Sequence, residues 1–163
     1  MASGDTLVKF IPAQNNPPET GYATLDTRNN HLVLDFDAAT AEDAIFPEVL
    51  PRHYTGLGIT ATVVWMASTA ITGSIRLEGS FERHQDETDD LDADSFAAAQ
   101  GVTSAAPAVS GTPQYAAIVF TNAQIDGLLV GESFRFRLRR AAADVADDMA
   151  GDAELLRIEL KET

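Results

Sequence analysis

The sequence contains no cysteine, and this absence excludes disulfides, thiolate metal sites and cysteine nucleophiles together. It also contains no apolar run near the roughly 20 residues that span a bilayer. Residues 1–5, Met-Ala-Ser-Gly-Asp, lack the basic stretch and apolar core of a secretory signal. We therefore expect a soluble protein that depends on a hydrophobic core rather than on covalent cross-links.

Basic residues are scarce, with 11 Lys and Arg against 25 Asp and Glu and a formal charge of −14. Phosphate backbones and anionic membranes are bound by basic patches, so we expect neither nucleic acid nor a membrane as a partner. A high uniform charge suits a protein displayed at high copy number. An acidic proteome in a halophilic or marine host explains the charge equally well.

The length of 163 residues suits one domain. A content of 45% hydrophobic and 22% charged residues is typical of globular chains. Because no break in composition divides the chain, residues 1–163 predict a single domain. Residues 1–21 predict a looser strand and loop at its N-terminal end.

Alternation of apolar and polar residues is the main structural signal, and it indicates half-buried strands. Residues 59–67 are apolar on both faces, which predicts a central strand covered on both sides. In the last strand, Leu156, Ile158 and Leu160 are predicted to face the core. The clearest alternating segments are residues 31–37, 74–83, 133–139 and 153–161.

Long amphipathic helices are missing. Only two helical turns are predicted, at residues 38–43 with Thr40 as N-cap and at residues 123–129. Residues 84–113 predict a long surface excursion with at most one short strand. The resulting eight or nine strands indicate an all-β, antiparallel β-sandwich, and the long irregular connections favour a jelly roll over an immunoglobulin fold.

The three histidines lie outside any known catalytic or zinc motif, so we expect no catalytic residues and no metal site. Asp90-x-Asp92-x-Asp94 is similar to the start of a calcium loop, but Ser95 and Gly101 occupy the places where an EF-hand has Gly and Glu. We predict a solvated acidic loop and no cofactor, and leave calcium binding open. The residues concerned are His31, His53 and His84, the acidic cluster Asp86, Glu87, Asp89, Asp90, Asp92 and Asp94, and a second group, Asp144, Asp147, Asp148 and Asp152.

Two further sets of side chains are candidates for binding. An exposed aromatic platform would suit a sugar, and Tyr22, Tyr54, Trp65 and Tyr115 are available, although Trp65 is predicted to lie in the core. A basic stripe consists of Arg135, Arg137, Arg139 and Arg140. We expect these arginines to pair with carboxylates on neighbouring strands rather than to bind phosphate, and a subunit interface is the intermediate possibility.

Four segments resemble small structural proteins of tailed bacteriophages. They are residues 23–31 (ATLDTRNNH), 33–37 (VLDFD), 90–96 (DLDADSF) and 151–156 (GDAELL). The resemblance implies a non-enzymatic virion component, such as a capsid decoration protein, a head fibre or a tail-associated jelly roll. It also implies assembly in the host cytoplasm, often as a homotrimer, with the major capsid protein or other virion proteins as partners. The alternative is a carbohydrate- or host-surface-binding module, with calcium assistance near Asp90. An enzyme ranks third.

Overall fold

The computed structural model describes residues 4–163 and contains ten β-strands with two short 3-10 turns, Pro12–Gln14 and Asn122–Gln124. The strands are β1 Thr6–Phe10, β2 Thr24–Arg28, β3 His31–Phe36, β4 Glu42–Val49, β5 Ile59–Ala67, β6 Ser74–His84, β7 Gln100–Ala105, β8 Gln114–Phe120, β9 Ser133–Arg140 and β10 Ala153–Glu162. Within this described range, no helix is long and apolar enough to cross a membrane.

The strands form two antiparallel sheets that face each other as a jelly-roll β-sandwich. The six-stranded sheet has the order β2-β3-β10-β5-β8, and the four-stranded sheet has the order β4-β9-β6-β7. Strand β1 joins the six-stranded sheet beside the second half of β10, while β3 pairs with the first half of β10. The predicted fold class is confirmed.

The core lies between the sheets and is rich in phenylalanine. The Phe81 ring centroid lies 5.0 Å from that of Phe120, 5.1 Å from Phe136 and 5.6 Å from Phe134, close enough for edge and tilted packing. Gly79 leaves room for this cluster, because a Cβ atom there would lie 2.9 Å from Phe120 Cζ. Because alternate side chains of each strand point between the sheets, they form one dense apolar layer there.

Residues 38–43 differ from the prediction of a helical turn. The Asp37 carboxylate accepts hydrogen bonds from the backbone N–H groups of Ala39 and Thr40, both at 2.7 Å, so the chain turns without forming a helix and Thr40 is not an N-cap. It then enters β4, which raises the strand count from the predicted eight or nine to ten. Pro47 is tolerated inside β4 because this strand lies at the edge of its sheet.

The remaining irregular segments follow the predictions more closely. The excursion over residues 84–113 contains a single short strand, β7, as predicted. Near residues 123–129 the structure has a 3-10 turn, Asn122–Gln124, in place of a longer helical turn. The loop before β2 covers the outer edge of β4: the Asn15 side chain accepts a hydrogen bond from Ile45 N–H at 2.9 Å, and Asn16 N–H donates to the Ile45 carbonyl at 2.8 Å.

Candidate ligand-binding cleft

A cleft crosses the outer face of the six-stranded sheet. Arg157 of β10 is directly opposite Val64 of β5, and Val64 is directly opposite Tyr115 of β8, so the three side chains form a row across three strands. The cleft over this row has a volume of about 520 Å³. It continues past His31 and Leu156 into a second part of about 360 Å³.

Tyr115 is the most exposed large hydrophobic side chain of the cleft, at 73% of its full accessible surface. It stands near the start of β8, just after Pro113, and Ile11 forms part of the same lining. A tyrosine ring offers an apolar face with a polar hydroxyl at its tip, which makes it a frequent contact residue in binding surfaces. The row therefore combines an open aromatic ring with a guanidinium group.

A β-bulge in β10 explains why two consecutive side chains reach the cleft. The pairing of β10 with β5 shifts register between Leu155 and Arg157, and both Leu155 and Ile158 are buried in the core. The extra residue of the bulge leaves Leu156 and Arg157 on the outer face. The prediction that Leu156 faces the core is therefore wrong, because the sequence alternation is interrupted at this point.

The charged groups of the cleft are basic. Within residues 4–163, no carboxylate lies within 4.0 Å of the Arg157 guanidinium, and this side chain is exposed. Arg28 lines the second part, where it forms an ion pair with Glu154 and donates to the Ala67 carbonyl at 2.9 Å. Gly111, with φ of +78°, lies against Arg28: a Cβ atom there would be 3.0 Å from Arg28 Nη2. His31 lines both parts of the cleft.

The outer face of the four-stranded sheet carries the predicted arginine stripe. Arg139 binds Asp43 of β4 through two nitrogens, at 2.7 and 3.0 Å, and Arg135 forms an ion pair with Glu82 of β6. Pairing with carboxylates on neighbouring strands is thus confirmed for these two residues.

Phe96 of the acidic excursion lies over the middle of this stripe. The Phe96 ring centroid is 4.6 Å from the Arg137 guanidinium carbon and 5.1 Å from that of Arg135, which are cation–π distances. Burial lowers the pKa of Arg137, whose Nε donates to the Ser80 hydroxyl at 3.1 Å. The three exposed-face arginines of the stripe are therefore already in contact with other side chains of the protein.

Arg140 does not belong to the exposed stripe, and its assignment there is corrected. It follows Arg139 in β9, so the strand period turns it inward, where it is 0% exposed. Its guanidinium binds Asp147 at 2.8 and 3.0 Å and donates to the carbonyls of Gly151 at 2.7 Å and Met149 at 3.1 Å. Arg140 therefore fastens the loop between β9 and β10 to the sandwich.

Asp35 lies in a group of acidic residues on β2, β3, β4 and β10. Burial, together with the nearby carboxylates of Asp152 and Glu154, raises the pKa of Asp35 from 3.8 to about 6. Its Oδ1 atom is buried and has no hydrogen-bond partner among the described residues. Ionised Asp35 is therefore a source of repulsion in this part of the fold.

Several of the predicted acidic residues have structural contacts within the protein. Among residues 4–163, no group of three or more His, Asp or Glu side chains is arranged to hold a metal ion. In the acidic excursion, Asp89 and Asp94 accept backbone N–H bonds from Gln85 and Ser95 at 2.6 and 2.8 Å. In the second acidic group, Asp148 and Asp152 accept such bonds from Ser74 and Ala38 at 2.7 and 2.9 Å.

Of the histidines and of the Tyr and Trp residues that the sequence suggested, His31 and Tyr115 lie at the cleft and the others lie elsewhere. His84 Nδ1 is 3.1 Å from the Ser133 hydroxyl and the exposed His53 lies outside the cleft, whereas His31 lines it. Trp65 is 1% exposed and donates to the Ser104 hydroxyl at 3.0 Å, which confirms its predicted core position. Of the tyrosines, Tyr54 is buried and Tyr22 lines a different pocket, so Tyr115 is the sequence candidate that the fold brings to the cleft.

Comparison with known proteins identifies a fold and no family. No protein-family model matches the chain, and no curated protein matches its sequence. Among solved structures, a xylan-binding CBM22 domain from Paenibacillus barcinonensis is similar, with a TM-score of 0.51 and 10% identity over 99% of this chain and 97% of that one.

Two other solved structures are also similar. The carbohydrate-binding module CBM36, in complex with calcium and xylotriose, gives a TM-score of 0.48 at 14% identity over 94% of this chain and 99% of that one. A cleaved adhesin domain of Lys-gingipain from Porphyromonas gingivalis gives 0.46 at 12% identity over 97% and 99%. At these identities only the likeness to the CBM22 domain bears on this chain, it supports the β-sandwich fold alone, and any ligand must be argued from the cleft.

Proposed function

We propose that the chain is a non-enzymatic binding module that holds a carbohydrate chain in the outer-face cleft. The observation that carries this proposal is the row of Arg157, Val64 and Tyr115 beneath an open cleft of about 520 Å³. A sugar ring has an apolar face that packs on an aromatic ring and hydroxyl edges that accept and donate hydrogen bonds. Tyr115 supplies the ring, and His31 and Arg157 supply polar groups beside it.

The shape of the cleft favours a chain-like ligand. Its two parts share His31, Pro113 and Leu156, so together they form one elongated depression along the sheet surface. Small-molecule pockets enclose most of their ligand, whereas an open depression contacts one side of a longer molecule. The fold likeness to a xylan-binding domain supports a carbohydrate ligand without specifying which sugar.

A glycan array followed by titration of the best ligand tests this proposal. Tyr115→Ala is expected to weaken binding about tenfold or more, because truncation of a central aromatic contact commonly costs at least that much. Tyr22→Ala is the matched control, since Tyr22 is also exposed but lines a different pocket. Parallel arrays with calcium and with a chelator test whether calcium assists binding. Full binding by the Tyr115→Ala variant, or binding to no glycan at all, would contradict the proposal.

A second proposal, a role in a bacteriophage particle, is based on the sequence resemblance of residues 23–31, 33–37, 90–96 and 151–156. It is compatible with glycan binding, because a particle-surface protein can also contact a host polysaccharide. Mass spectrometry of purified particles from the source virus tests it directly. We expect the chain among the particle proteins, and its absence from them would contradict this role.

A further inference from the structure

We infer that the cleft selects an acidic carbohydrate, a polysaccharide that carries carboxylate groups on its sugars, with Arg157 as the residue that reads the charge. This inference rests on the proposed function and names its ligand class. It follows from the distribution of charge around the cleft and from the lack of a carboxylate partner for Arg157 within residues 4–163.

The cleft lacks the acidic side chains that dominate the rest of the molecule. The chain has 25 acidic residues and a formal charge of −14. Yet among the described residues no aspartate or glutamate lines either part of the cleft. Its lining includes His31, Arg28, whose charge is compensated by Glu154, and Arg157, whose charge is not paired within residues 4–163. A basic depression on an acidic surface concentrates an anionic ligand at that depression and repels it elsewhere.

Neighbouring residues on the same face extend this basic character. The two lysines of the chain lie further along the same face: Lys9 of β1 is opposite Glu159, and Lys161 is four residues after Arg157 on β10. Glu159 lies between Arg157 and Lys161 along β10, opposite Lys9, and accepts a hydrogen bond from the Thr6 hydroxyl. Three cations therefore surround one carboxylate in this part of the sheet.

Arg157 is free to bind an external carboxylate. Within residues 4–163, Arg28, Arg135, Arg139 and Arg140 each bind a carboxylate of the protein, and Arg137 lies against the Phe96 ring and the Ser80 hydroxyl. Arg157 is exposed and has no carboxylate partner among these residues. A guanidinium group presents a planar fork of N–H donors that matches a carboxylate with two hydrogen bonds.

The spacing of the row suits an oligosaccharide. Arg157 and Tyr115 are two strands apart, which is roughly 10 Å at the usual strand spacing. A sugar ring stacked on Tyr115 and a carboxylate on a neighbouring sugar can therefore be held at once. A neutral xylan would use the Tyr115 contact but leave the Arg157 guanidinium without its strongest type of partner.

The test compares charged and neutral forms of the same polysaccharides. Polygalacturonate, alginate and glucuronoxylan are each titrated beside the carboxyl-reduced form, which keeps the backbone and removes the charge. We expect the best acidic polymer to bind at least tenfold more tightly than its reduced form, with an affinity that falls as salt rises. Arg157→Gln should lose about tenfold in affinity for the acidic form and clearly less for the reduced form, because glutamine still offers a hydrogen-bond donor to a sugar hydroxyl but no charge, and Arg157→Lys should fall between wild type and Arg157→Gln for the acidic form. Arg52→Gln is the matched control, because Arg52 is exposed and lines neither part of the cleft.

The outcomes separate this inference from the proposed function. If the reduced polymers bind as tightly as the acidic ones and Tyr115→Ala weakens both, carbohydrate binding stands and the acidic specificity is overturned. If Arg157→Gln and Arg52→Gln lose the same affinity, the assignment of Arg157 is overturned. If a single-stranded oligonucleotide displaces the acidic polymer at equal charge concentration, the cleft recognises anions in general and the carbohydrate class is overturned.

Discussion

Replacing Asp147 with asparagine removes the counter-charge of a guanidinium group that has no access to water. Arg140 and Asp147 have side chains exposed by 0% and 1%, and Asp147 holds Arg140 through both carboxylate oxygens. Breaking one partner of a buried ion pair typically costs about 3–5 kcal/mol, because the remaining charge is buried alone. The carbonyls of Met149 and Gly151 also accept bonds from Arg140, so we expect the lower end of this range, about 3 kcal/mol.

The assay is denaturant unfolding followed by the fluorescence of Trp65, the single tryptophan, which is buried in the core. Asp148→Asn is the matched control: it removes the same charge from the same loop, but Asp148 is exposed and an asparagine oxygen can still accept the bond from Ser74 N–H, so we expect a change within about 0.5 kcal/mol. A destabilisation by Asp147→Asn no larger than that of Asp148→Asn would refute the structural importance of the buried pair.

Two further predictions concern the fold. Asp35→Asn should stabilise the protein at pH 8 but not at pH 4. Because the pKa of Asp35 is raised in the folded protein, its protonated carboxyl costs no stability below the ordinary pKa of 3.8, and stability is lost as the pH rises through about 6 and the carboxyl ionises. This pKa shift corresponds to about 3 kcal/mol, which solvent screening reduces to about 1 kcal/mol. The unfolding free energies of the wild type and the variant, measured at both pH values, test this magnitude. An equal effect of the substitution at pH 4 and pH 8 would contradict the raised pKa of Asp35. Gly79→Ala should cost about 1–3 kcal/mol, because the new Cβ would lie 2.9 Å from Phe120 Cζ and 3.0 Å from Phe136 Cζ, and an unchanged unfolding midpoint would argue against such close packing.

The sandwich was predictable because strand alternation is a local signal. Residues such as Phe134, Phe136 and Leu138 alternate with arginines, and this period alone assigns them to the core of a half-buried strand. The same period assigns Arg140 to the inside, but a fourth arginine in the run made it look like part of the exposed stripe. A buried arginine requires a counter-charge, and the loop that directly follows β9 supplies it through Asp147. Several aspartates lie in that loop, and no sequence pattern distinguishes Asp147 from the others as the partner of Arg140.

The cleft was predictable only in part. Tyr115 was a candidate because aromatic residues are few, but Arg157 and Leu156 were hidden by the bulge, which breaks the alternation of β10. The run Leu155-Leu156-Arg157-Ile158 contains two adjacent apolar residues out of phase, and this is the signal that could have indicated the bulge. The meeting of Arg157 with Tyr115 depends on the order of β10, β5 and β8 in the sheet, which is set by long-range pairing.

The central claim is that ligand binds on the outer face of the six-stranded sheet, and chemical-shift mapping of the ¹⁵N-labelled protein tests it most directly. On titration with oligogalacturonate, we expect the shifted backbone amides to cluster at His31, at Leu156 and Arg157, and around Tyr115. Amides of the arginine stripe at Arg135, Arg137 and Arg139 should remain in place. Shifts confined to that stripe or to the acidic segment 86–94, with none around Tyr115, would contradict the account.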